Sequence, residues 1–156
     1  MEKIDSFKIN HLTLERGLYV SRRDSLNGCD TTTFDLRFTL PNRESVMDTG
    51  AIHTIEHLGA TYLRNSECAH NIIYFGPMGC RTGFYLVAFN RLESSDVYKM
   101  IVDMCEFIIN FEGEIPGATP IECGNWSEQN LALAKEYTKR YKLDLETHKN
   151  FVYSVK

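Results

Sequence analysis

Nowhere does this 156-residue chain approach the ~20 consecutive apolar residues of a membrane-spanning helix, and its first ten residues, MEKIDSFKIN, lack the apolar core of a secretory signal. A soluble, cytoplasmic protein with no membrane partner is therefore expected. Basic runs are missing too. With 17 Lys and Arg against 21 Asp and Glu, a net charge of -4, the chain offers no positive surface for nucleic acid or anionic lipid. Internal repeats and low-complexity tracts are absent, which excludes a solenoid. The cysteines, Cys29, Cys68, Cys80, Cys105 and Cys123, form an odd set without regular spacing, so a disulfide framework is excluded and reduced thiols are expected.

What is present is a chain able to build a core. The hydrophobic fraction of 43%, with 9 Phe and 8 Tyr, suits one packed domain over residues 1–156 that needs no structural metal to fold. TTTFDLRFTL, residues 31–40, alternates Phe34, Leu36, Phe38 and Leu40 against Thr33, Asp35, Arg37 and Thr39, which predicts a strand with Arg37 turned away from the apolar face. Asp48 or Thr49 is placed to cap a helix running to about Arg64. NIIYFGPM and TGFYLVAF are two β-prone runs separated by the tight Gly79-Cys80-Arg81 segment, which reads as a strand pair or a bulged strand. Ser94 or Ser95 is the expected cap of a second helix, in which Val97, Met100, Ile101, Met104, Ile108 and Phe111 keep the helical period. Ser127 is the expected cap of a third, with Leu131, Ala134, Tyr137 and Tyr141 on one face. Strands and helices are interspersed without a strand–helix–strand repeat, so the predicted fold class is α+β, an antiparallel sheet packed against helices.

Chemistry concentrates in IHTIEH, residues 52–57. On a helix His53 and His57 stand one above the other, with Glu56 beside them, so one metal ion can touch both imidazoles. A catalytic ion needs a third protein ligand and one open position. Cys123, a soft thiolate donor in a Glu-Cys-Gly turn, is one candidate, and a buried loop thiol is the competing reading. Cys80, between Gly79 and Arg81, is either a small residue at a crowded turn or a thiol activated by a neighbouring cation. The order His-x-x-Glu-His also occurs in inverzincin-type metallopeptidases. A non-enzymatic structural module, its metal closed off by His11, His70 or a further thiol, is the third alternative.

Five separated motifs, DSFKINH, FDLRFTLPN, HTIEHLGATYLR, PMGCRTGFY and ECGNW, resemble the S-ribosylhomocysteine lyase (LuxS) family over essentially the whole chain, in order and approximate spacing. The resemblance implies an inverzincin-like α+β fold and a homodimer with two active sites at the subunit interface. Each site would hold one divalent metal, natively iron(II) and often replaced by zinc or cobalt. His53, His57 and Cys123 match the ligands, Glu56 and Cys80 the acid/base pair, and Ser6, His11, Arg37, Ala60 and Arg64 the substrate-lining positions. The implied reaction opens S-ribosylhomocysteine to its aldehyde, moves the carbonyl from carbon 1 to 2 and then to 3, and expels homocysteine by β-elimination. What remains is 4,5-dihydroxy-2,3-pentanedione, the autoinducer-2 precursor. Two departures bear on the pocket: Tyr74, Phe75 and Gly76 stand where the family often has Asp-x-Ser, and Arg81 where glutamine commonly follows the cysteine.

Overall fold

The structure is a computed structural model that describes residues 2, 4 and 7–153. Four strands, β1 (Gly17–Leu26), β2 (Cys29–Arg37), β3 (Ile72–Pro77) and β4 (Gly83–Phe89), form one antiparallel sheet in the order β1-β2-β4-β3. Three helices, α1 (Thr49–Arg64), α2 (Ser94–Asn110) and α3 (Leu131–His148), accompany it. None of the helices is long and apolar enough to cross a membrane, among the described residues.

The pleat decides which residues become core. Phe34 and Leu36 of β2 and Phe84, Leu86 and Ala88 of β4 point to the helical side and are fully or nearly fully buried. Phe84 stacks on Phe75 at 5.2 Å between ring centroids, and Phe38, just past β2, stacks on Tyr141 of α3 at 4.0 Å. Ile52, Ile55, Leu58 and Leu63 bring α1 into the same core. It seats closely because residue 59 is glycine: a Cβ there would come 2.5 Å from the Phe75 ring. Ile101, Met104, Cys105 and Ile108 of α2 complete the layer, Cys105 serving as a small buried hydrophobe.

The opposite face carries polar side chains. Tyr19, Asp35 and Tyr85 lie abreast in the register of β1, β2 and β4, and the Tyr153 ring stacks on Tyr19 at 4.5 Å. Arg37 is flanked in register by Gly17 and Gly83, which leaves room for its guanidinium beside Asp35.

Several boundaries differ from the sequence expectation. β1 was not anticipated, because only Gly17–Tyr19 of it is buried while Arg22–Leu26 runs polar and largely exposed. Its hairpin turns on Asn27-Gly28, both at positive φ. β2 starts at Cys29 and ends at Arg37 instead of running to Leu40, since Phe38 and Thr39 both donate their N–H groups to the Thr82 carbonyl. Helix α2 is capped by Glu93, not Ser94 or Ser95: the Glu93 N–H donates to Asp96 at 2.7 Å in a reciprocal capping box. Helix α3 is capped by Asn130, whose side chain accepts from the Leu133 N–H at 3.1 Å, while Ser127 lies in the preceding turn.

Candidate metal centre

Asp48 caps α1 by accepting the Ala51 N–H at 2.9 Å, as the sequence predicts. One turn later His53 and His57 project from the same face. Their Nε2 atoms are 3.0 Å apart, and the Cys123 sulfur is 3.3 Å from His53 Nε2. All three donor atoms lie within 4.8 Å of one another, and all three side chains are half-buried.

The segment after α2 delivers Cys123 through consecutive turns, in which its N–H donates to the Thr119 carbonyl at 3.0 Å. That segment is then tied back to α1: the Asn130 N–H donates to Thr54 Oγ1 at 2.9 Å and to the Gly50 carbonyl at 3.2 Å. Glu128 reinforces the tie. Its carboxylate accepts from Thr49 Oγ1 at 2.5 Å and from the Asn125 amide, and these bonds hold it below the ordinary glutamate value.

Each imidazole is oriented from behind. His57 Nδ1 lies 2.7 Å from the Pro116 carbonyl and His53 Nδ1 3.0 Å from the Glu128 carbonyl. A carbonyl only accepts, so both Nδ1 atoms carry hydrogen, and in the neutral rings both Nε2 atoms present lone pairs. Two lone pairs facing each other at 3.0 Å beside a sulfur make a site that a cation would occupy. The spacing fits one: a tetrahedral ion with metal–nitrogen bonds of about 2.0–2.1 Å holds its nitrogens about 3.3 Å apart. Gly117 completes the cradle at a φ of +74°, where a Cβ would stand 3.2 Å from His57 Nδ1. Two imidazoles and a thiolate form a borderline-soft donor set suited to zinc or iron.

Among the described residues this cluster has three donors only. His11 lies elsewhere, and His70 is exposed in the 3-10 turn Ala69–Asn71. Glu56 shares the histidine helix, half-buried and without a hydrogen bond or ion pair among the described residues. Ala60 and Arg64 continue its ridge at intervals of four, and Arg64 Nη2 donates to the Ile73 carbonyl at 2.7 Å.

His11, Arg37 and Cys80 meet in a different place, a cavity of about 370 Å³ bordered also by Asp35, Thr82 and Tyr85. None of the three metal-donor residues lines it. Asp35 and Arg37 form a buried fork there, with bonds of 2.5 and 3.1 Å, and Tyr153 donates to Asp35 at 3.0 Å. Burial works against the Arg37 charge, but the adjacent carboxylate keeps its guanidinium above the ordinary value. Ser6, the remaining predicted substrate contact, lies outside the described residues. The predicted residues therefore form two groups, one on α1 with the Cys123 loop and one on the polar sheet face.

Sequence reasoning missed Thr82, Glu128 and the two carbonyls behind the histidines. A carbonyl leaves no mark in side-chain identity; the Pro116-Gly117 pair was the only available signal of a tight approach.

The S-Ribosylhomocysteinase (LuxS) family matches residues 4–151. The chain is 57% identical over 141 residues to the S-ribosylhomocysteine lyase of Finegoldia magna, covering 90% of each chain. It is 51% identical over 142 residues, again 90% of each, to the enzyme of that name from Clostridium acetobutylicum. To that of Clostridium beijerinckii it is 47% identical over 157 aligned positions, covering 98% of this chain and 99% of the relative.

Proposed function

Because the chain belongs to the S-ribosylhomocysteinase (LuxS) family, we propose that its two groups of residues are the two halves of a metal-dependent lyase centre, completed when two copies associate. The protein is a carbon–sulfur lyase that cleaves S-ribosylhomocysteine to homocysteine and 4,5-dihydroxy-2,3-pentanedione. One lyase domain spans residues 1–156 and works in the cytoplasm as a homodimer, with no nucleic-acid or membrane partner.

His53, His57 and Cys123 hold the ion, iron(II) in the cell with zinc or cobalt as substitutes. When bound, that ion supplies Lewis-acid polarisation of the migrating carbonyl and its neighbouring hydroxyl. Cys80 and Glu56 move protons from opposite sides of the sugar. The first migration takes the hydrogen of carbon 2 and returns a proton to carbon 1, and the second takes that of carbon 3 and returns one to carbon 2. Elimination then removes the proton of carbon 4: its electron pair forms the carbon 4–carbon 5 double bond as the carbon 5–sulfur bond breaks, the departing thiolate is protonated, and the enol so formed gains a proton at carbon 5 and loses that of its carbon 4 hydroxyl to give the dione. Electrons balance within the substrate, so no external redox partner is required. Ala60 and Arg64 flank the metal half, while Ser6, His11 and Arg37 hold the substrate in the Cys80 half.

The observation that carries this reading is the convergence of His53 Nε2, His57 Nε2 and Cys123 Sγ, three donor atoms within 4.8 Å of one another. The test is thiol release from S-ribosylhomocysteine by the purified protein. Homocysteine should appear with the metal loaded and cease when a chelator removes it. Absence of thiol release by fully loaded protein would refute the assignment.

A further inference from the structure

We propose that Thr82 is a positioning residue for Cys80, its buried hydroxyl linking the Arg37 guanidinium to the Cys80 sulfur so that the sulfur is held as an aimed thiolate. The inference rests on the proton-shuttle role given to Cys80 above and adds a residue to it.

The geometry fixes the direction of the first bond and leaves the hydroxyl hydrogen for the second. Arg37 Nη1 lies 2.5 Å from Thr82 Oγ1, and a guanidinium only donates, so the hydroxyl oxygen is the acceptor. The Thr82 hydrogen is then free for another partner. Cys80 Sγ lies 3.1 Å from the same oxygen, and among the described residues it is the only acceptor that hydrogen meets. A hydroxyl that accepts from a cation donates more strongly, and a thiolate accepts far better than a thiol. The arrangement therefore offers the sulfur one fixed, polarised hydrogen.

The rest of the chain of contacts immobilises the link. Thr82 is only 6% exposed, and its carbonyl accepts the Phe38 and Thr39 N–H groups at 3.0 and 3.1 Å. Arg37 commits its other two nitrogens to Asp35, which also accepts from Tyr153. Cys80 itself is exposed at the turn between β3 and β4, so without this bond its side chain has no fixed direction. The other ionisable groups that line its cavity are Asp35 from β2, Tyr85 from β4 and His11 from the N-terminal segment, and exposed Arg81 follows it in the turn. Among the described residues none of them hydrogen-bonds the sulfur; that place belongs to Thr82.

The experiment compares Thr82→Val, which keeps the shape but not the hydroxyl, with Thr82→Ser, which keeps the hydroxyl. Iodoacetamide alkylation is followed at the Cys80 peptide by mass spectrometry, which separates it from exposed Cys29 and Cys68, without substrate or added metal. In Thr82→Val the alkylation rate at pH 7 should fall about three- to tenfold, with its pH profile displaced to higher pH. Thr82→Ser should retain the parent rate and profile. In the lyase assay kcat should fall at least about tenfold in Thr82→Val with KM little changed. If Thr82→Val gives no cooperative melt, Thr82→Ala, which leaves room for water at Arg37, is read in its place. An alkylation profile unchanged in the folded variant overturns the proposal even if the parent is a lyase. A parent that releases no homocysteine overturns the lyase assignment instead and leaves the alkylation comparison intact.

Discussion

His53 and His57 meet nitrogen to nitrogen at 3.0 Å, each with its other nitrogen turned back to a main-chain carbonyl. The pair is thus prepared before any ion arrives, and removing one donor leaves two. His57→Ala and Cys123→Ala should each purify with little or no bound metal and without lyase activity. Elemental analysis after anaerobic purification checks this, and a variant with full metal content would remove that residue from the ligand set.

Glu56 makes a sharper case, because it sits between the ligands in sequence but contacts neither ring by hydrogen bond. Glu56→Gln keeps the shape and loses the proton-accepting group. Metal content should match the parent while kcat falls by ~10²–10⁴, the usual contribution of a general acid/base. Near-parental turnover would make Glu56 a bystander.

Alkaline stability follows from the polar sheet face. Burial first, and the Asp35 carboxylate second, hold the phenols of Tyr19 and Tyr153 well above the ordinary tyrosine value. The unfolded chain therefore releases these protons first, once pH passes about 10. Native protein then binds more protons than unfolded, so the stabilisation is intact below that pH and declines as pH rises further. Tyr153→Phe should melt lower at neutral pH, by roughly 1 kcal/mol for the lost bond to Asp35, yet decline less steeply above pH 10. Thermal melts at pH 8, 10 and 11 read both effects, and an alkaline decline as steep as the parent's would contradict this account.

How much of this was legible beforehand differs by residue. Helix α1 was readable to its ends, since Asp48 is a strong cap and the apolar period is unbroken to Leu63. The core side of β2 was equally plain, while β3 and β4, readable as a pair or as one bulged strand, are a pair. Strand β1 was hidden because half of it buries nothing, although Asn27-Gly28 was a hairpin signal. The caps of α2 and α3 were misplaced because serine was favoured over a glutamate capping box and over an asparagine, both of which tertiary contacts select. Arg37 was correctly turned off the apolar face, but its burial against Asp35 follows from the glycines opposite it, which lie far apart in sequence. Spacing could suggest the metal donors; nothing local could say that Cys80 opens onto a cavity the donors do not line.

That division of the site is the central claim, and mixing two inactive variants tests it most directly. Cys80→Ser keeps the metal half, and His57→Ala keeps the cysteine half. If each active site takes one half from each copy, co-refolding the two in equal amounts should restore about a quarter of parental thiol release, because half of the dimers are mixed and each carries one intact site. Activity that stays at the background of the separate variants, in samples shown to contain mixed dimers, would mean that a single chain must supply both halves and would contradict the account.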